Sequence, residues 1–219
     1  MATRQVLAEL AEAYERRCDR AVEIESVGGV DAAKRVQAGE PFDVVFLASD
    51  AVDKLAAAGR IAPYSKVDLM VSPVAVAVRT GAPHPDIASE EAVRSAVLAA
   101  PSVGYSTGPS GVALLRLFDR WGVTAQLQGR LVQAPPGVPV GTLVARGDVA
   151  LGFQQLSELL HLQGIDVVGT LPQPVQIVTT FSAGVCAGSP DGDAARAMLD
   201  FMASPEAADA KRRHGMEPA

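Results

Sequence analysis

Short, unbroken apolar runs alternate with amphipathic stretches along almost the whole of this chain. That alternation leaves few folds open. PFDVVFLAS (Pro41–Ser49) and DVALGFQQ (Asp148–Gln155) read as strands covered on both faces. Further strands are expected at Ala21–Ser26, Val67–Val78, SVGYS, Leu131–Gln133, Asp166–Gly169 and Gln176–Ala187. Between them the period is helical. Val6, Leu7, Leu10, Ala11 and Tyr14 share one face of a first helix, with Thr3 as its N-cap. Other helices are expected from Gly28-Gly29 through Val36, over Ala51–Ala58 with a stop at Gly59, over Glu90–Ala99, and in GVALLRLFDRWG. A helix ending at Arg146-Gly147, a turn over Ser157–Leu162, and helices over Asp193–Met202 and Pro205–Arg213 complete the pattern. Strands alternating with helices predict a doubly wound α/β protein with mainly parallel sheets and helices on both faces. Its helix starts should gather at the carboxyl ends of the strands, where ligands bind.

Composition narrows the ligand. Of 219 residues, 48% are hydrophobic and 20% charged, which excludes a disordered chain. The formal net charge is −6 and no basic run is concentrated, so nucleic acid is not an expected partner. An anion would have to be held by local dipoles rather than by bulk charge. No apolar run approaches the roughly 20 residues of a membrane span. No direct membrane insertion is expected. MATRQVLAELAEAYERR lacks the apolar core of a signal peptide, so the chain as written carries no export address and reads as cytoplasmic.

Several loops suit an anion. In SVGGV, Gly28 and Gly29 precede a helix and let a ligand approach backbone N–H groups. YSTGPSGV offers the hydroxyls of Ser106, Thr107 and Ser110, with Gly108 and Gly111 freeing the backbone and Ser110 as a good N-cap. PPGVPVG is a third stiff entry to a helix. FQQLSE places Gln154, Gln155, Ser157 and Glu158 just past a strand, and amides suit oxygen-rich ligands. Arg4, on the first turn of the first helix, opposes the helix dipole, and a docked anion would offset this. No P-loop lysine is present, so a nucleotide is not expected. Gly104–Gly108 matches the G-x-S-x-G elbow of serine hydrolases, with His161 or His214 as a base, but Pro109 and Ser110 intervene before the helix. His84, His161 and His214 lie far apart without metal-ligand spacing and read as surface residues. No metal and no cofactor is expected. Cys18 and Cys186 can be paired or free.

The order of segments carries a resemblance. AELAEAYERR is followed by AAKRVQAGEPFDVVFLASDAVDKLAAAGRI, VAVAVRTGAP, YSTGPSGV, VARGDVALGFQQLSEL and FSAGVCAGSPDGDAARAMLDFMASPEAADAKRRHGMEPA. In that order they resemble the molybdate-binding branch of the type II solute-binding proteins of ABC importers, over nearly the whole chain. The resemblance implies two α/β lobes closing on a ligand, residues 1–75 plus 182–219 and residues 76–181, with hinge strands near 70–80 and 176–187. It implies ligand contacts at the Gly29 turn, the Ser110 loop, Val138 and Gln154, and importer membrane subunits as partners of a monomer or weak dimer. Gly29 stands where oxyanion binders carry a hydroxyl residue and Gln154 where they often carry Tyr, which argues against molybdate. QQLSE, in place of a Tyr-x-Thr-Asp pattern, is similar to a carboxylate-handling group of the same family that includes an aconitate isomerase. Family members also begin with a strand ahead of the first helix. Here only Met1-Ala2-Thr3-Arg4 precedes it, so the natural start is expected upstream, and a leader there would make the protein periplasmic.

Two functions follow. The first is binding of a small oxyanion or small di- or tricarboxylate by Thr3, Arg4, Gly28, Gly29, Ser106, Ser110, Gly111, Val138, Gln154 and Gln155, in a cleft between lobes. The second is isomerisation of an unsaturated polycarboxylic acid by proton removal and return, with Ser106 or Glu158 as candidate catalytic groups and Arg4 pairing a substrate carboxylate.

Overall fold

The computed structural model describes residues 2–219. Two compact units share the chain. One comprises the residues up to Ser72 together with Thr179–Ala219, and the other is the continuous stretch Pro73–Val178.

In the first unit, α1 (Arg4–Cys18) leads into an extended segment, α2 (Gly29–Ala38), β1 (Val44–Ala48) and α3 (Ser49–Ala57). The strand β2 (Val67–Arg79) then runs on into the second unit. There follow α4 (Glu90–Ala99), β3 (Val103–Tyr105), α5 (Pro109–Arg120), β4 (Leu131–Gln133), α6 (Val140–Arg146) and β5 (Leu151–Gln155). A single turn, α7 (Leu156–Leu159), and β6 (Ile165–Thr170) complete that unit. The chain returns through β7 (Val178–Val185) to α8 (Gly192–Ala203), α9 (Ala208–Arg213) and β8 (Glu217–Pro218).

The expected parallel pairing holds for β4, β3 and β5, which lie side by side in that order. The rest is antiparallel. β2 pairs antiparallel with β5, β6 and β8, and β1 with β7. The strand expected at Ala21–Ser26 is not formed. Its exposure alternates, with Val22 and Ile24 partly buried, but it has no paired neighbour among the described residues. Extended backbone becomes a strand only through such pairing. Instead the Val22 N–H donates to Glu15 Oε1 at 2.6 Å.

Alternation along the strands sorts the core. In the first unit Val45 and Leu47 of β1 face a cluster with Val36, Val52, Leu55 and Ile61, while Val44 and Phe46 face α1 and α8. In the second unit Val74, Val76 and Val78 of β2 join Val93, Leu114 and Phe118. On the other face Ala75 and Ala77 meet Val140 and Val144 of α6. These small residues bring α6 close. A methyl on Gly104 would stand 2.9 Å from Val140, and one on Gly152 would stand 2.5 Å from Val144.

Candidate functional site

The parallel strands of the second unit set the site. Val103 pairs with Leu151 and Gly104 with Gly152, so the same register carries Ser106 to the level of Gln154. Tyr105 pairs with Gln133, and the Ala134 N–H donates to the Tyr105 carbonyl at 2.9 Å. The carboxyl ends of β3, β4 and β5 therefore lie along one edge, each running into a helix.

At β3 the hydroxyls of Ser106 and Ser110 lie 3.1 Å apart. Ser110 is 5% exposed. Its hydroxyl is turned to Ser106 and does not cap α5, contrary to expectation; the capping position falls to Gly108. Gly111 has a packing role. A methyl there would lie 1.9 Å from the Ser106 carbonyl oxygen, so only glycine lets α5 begin against the loop. The Gly111 N–H is also occupied, donating to the Gly108 carbonyl at 3.0 Å.

At β5, Gln154 and Gln155 are each 3% exposed. Gln154 Oε1 accepts the Val140 N–H at 2.7 Å, capping α6 from 14 residues away. Sequence spacing carries no signal for such a contact, because the two residues meet only through the packing of α6 on the sheet. The amide of Gln154 is hydrogen-bonded to Glu158, and burial pushes that carboxyl above its ordinary range while Gln154 opposes the rise. The Val138 N–H donates to Pro135. Polar side chains, more than free N–H groups, therefore line this edge.

In the first unit, Thr3 caps α1 through its carbonyl, which accepts the Leu7 N–H at 2.9 Å; its side chain makes no capping bond. Arg4 is exposed at the first helical position, in a first turn without acidic residues. Gly28 is the N-cap of α2, with φ −60°. A methyl on Gly29 would meet only Leu47, at 3.7 Å. Neither glycine is required by backbone geometry.

The hydrolase elbow is not built. Its serine sits on a strained turn, whereas the only non-glycine residues with positive φ among those described are Asp19 and Tyr64. The Ser106 hydroxyl meets Ser110 rather than a histidine. Both cysteines are free, and burial pushes the Cys186 thiol up to about 11. His84 lies 3.4 Å from Asp166. His214 is not the surface residue expected: it is half-buried, 2.8 Å from Glu9. No group of metal-ligating side chains occurs among the described residues.

The chain is thus a two-unit α/β protein, with polar loops at the carboxyl edge of the parallel strands of its second unit. The chain belongs to the bacterial extracellular solute-binding protein family, whose model matches residues 1–217. It is 41% identical over 218 residues to an aconitate isomerase of Pseudomonas sp, covering 97% of this chain and 83% of that one. It is 25% identical over 191 residues to the molybdate-binding protein ModA of Azotobacter vinelandii, covering 83% and 73% of the two chains. The solved periplasmic molybdate-binding protein of Azotobacter vinelandii superposes with a TM-score of 0.79 at 20% identity, covering 98% of this chain and 95% of that one. The fold is thus that of the molybdate-binding-like branch.

Proposed function

We propose that this protein binds a small carboxylate anion at the carboxyl edge of β3 and β5, as a solute-binding protein serving the membrane subunits of an ABC importer outside the cytoplasm. One observation carries the reading: a half-buried, mutually bonded hydroxyl pair, Ser106 and the buried Ser110, level with the buried amides of Gln154 and Gln155. Hydroxyls and amides donate to carboxylate oxygens without adding charge, and α5 contributes its positive end. The first unit's contribution is proposed as Thr3, Arg4 and the Gly28–Gly29 turn, with Val138 and Gly111 shaping the site by packing. Binding needs no bulk positive charge, in keeping with a net charge of −6.

The test is calorimetry with citrate, cis- and trans-aconitate, sulfate and molybdate. A tricarboxylate is expected to bind and molybdate to bind weakly. Ser110→Ala should weaken the tricarboxylate about tenfold, the worth of one hydrogen bond to a charged group. Molybdate binding in preference to every carboxylate would overturn the carboxylate reading.

A second reading is favoured by the 41% identical relative that is named an aconitate isomerase. In this reading the same edge handles an unsaturated polycarboxylic acid and moves its double bond. Incubation with cis- or trans-aconitate, followed by chromatography, is expected to show interconversion. No turnover at high protein concentration would leave binding alone.

A further inference from the structure

Binding alone gives no role to Glu158. It stands on α7, four residues after Gln154, where β5 has ended. Gln154 has no freedom to turn: its carbonyl oxygen is fixed by the Val140 N–H at 2.7 Å, and its side chain is buried. An amide with its oxygen fixed has its NH2 group fixed as well. That group is committed to Glu158, to which Gln154 is hydrogen-bonded. The register of β3 and β5 puts Gln154 level with Ser106. Gln154 thus holds a carboxyl at the end of β5, the same end at which the hydroxyl pair follows β3.

We infer that Glu158 is the proton-carrying residue of a double-bond isomerisation, with Gln154 as its positioning residue. The inference rests on the isomerase reading above. The substrate class is an unsaturated polycarboxylic acid with a CH2 between its double bond and a carboxylate. The Glu158 carboxylate takes one proton from that CH2. The C–H bond breaks, an O–H bond forms, and the electron pair spreads into the neighbouring carboxylate and the double bond. A proton then returns from Glu158 to the far carbon of the former double bond, and the carboxylate is regenerated. The double bond has moved by one carbon, and nothing is oxidised or reduced. The Ser106 and Ser110 hydroxyls stabilise the enolate-like oxygen. Burial raises the Glu158 pKa toward the pH at which a base works best.

The test uses cis-aconitate in D2O, with interconversion followed by chromatography and deuterium at carbon by NMR. Wild type is expected to do both. Glu158→Gln should lower both about a hundredfold or more, with the aconitate Kd within about threefold of wild type. Glu158→Asp, which restores a carboxylate, should recover part of the rate. Gln154→Glu keeps an acceptor for the Val140 N–H but loses the donor to Glu158. Its far-UV circular dichroism should match wild type while kcat falls about tenfold and the pH–rate profile shifts. Glu158→Gln turning over within about tenfold of wild type would overturn the assignment and leave the isomerase reading standing. Wild type showing neither interconversion nor deuterium uptake would overturn both. A wild-type kcat in Gln154→Glu would make Gln154 a helix cap only.

Discussion

Gly29 and Gly111 both stand near a helix start, yet a side chain at each would meet different surroundings. At Gly111 the first carbon would fall 1.9 Å from a backbone oxygen, which cannot move without moving β3. Gly111→Ala is expected to lose about 3 kcal/mol of stability in urea titrations, at the upper end of overpacking penalties. At Gly29 the nearest atom is a leucine methyl at ordinary contact distance. Gly29→Ser should therefore fold with unchanged stability and add a hydroxyl over the first turn of α2. If that turn touches the ligand, the variant gains affinity for molybdate in a thermal-shift assay. An unchanged response would detach the turn from the site. The two glycines looked alike in the sequence, because a motif shows that a Cβ is missing and not what would have filled its place.

At the scale of elements, α1 is tied to α9 through Glu9, which accepts hydrogen bonds from Arg213 and, at 2.8 Å, meets His214. The hydrogen bond from Arg213 is the main cause holding the Glu9 carboxyl below its ordinary range; burial opposes it and His214 adds to it. A carboxyl whose pKa is lower folded than unfolded stabilises the fold above its unfolded value. That stability is lost as pH falls through the folded value. The contribution is thus complete at neutral pH and fades below about pH 4.3. Glu9→Gln should lower Tm at pH 7 and flatten its decline in acid; an acid limb parallel to wild type would refute the tie. How far such elements were readable varied with the range of the forces that define them. Glu90–Ala99 was legible to the residue, since Ser89 caps it locally by accepting the Ala92 N–H. Strands β3 and β4 followed from local apolar runs. The direction of β2 and β7 did not, because pairing is decided by partners far along the chain. Nor did the cap of α6, which Gln154 supplies across the sheet, or the turning of Ser110 toward Ser106. The residue types of the site were visible, and their division between structural and free groups was not.

For the whole molecule, each unit has its own core, and the chain contains one tryptophan. Trp121 belongs to the second unit, where its indole N–H donates to Glu90 at 2.6 Å. Its fluorescence should report the unfolding of that unit alone, whereas far-UV circular dichroism reports both. The two midpoints in urea are expected to differ in the absence of ligand; coincidence would show a single cooperative transition. The split of the first unit around the second has a consequence for biosynthesis. Pro73–Val178 leaves the ribosome as a complete unit, while α8, α9 and the strands that close the first unit are still to be translated. Because domains fold as they are completed, the unit that is begun ahead of Pro73 is finished after the unit inserted into it. Helices α1 to α3 must wait, with their apolar faces uncovered, for the forty or so residues from Thr179 onward, so any chaperone that shields this protein would find its substrate in the segment ahead of Pro73.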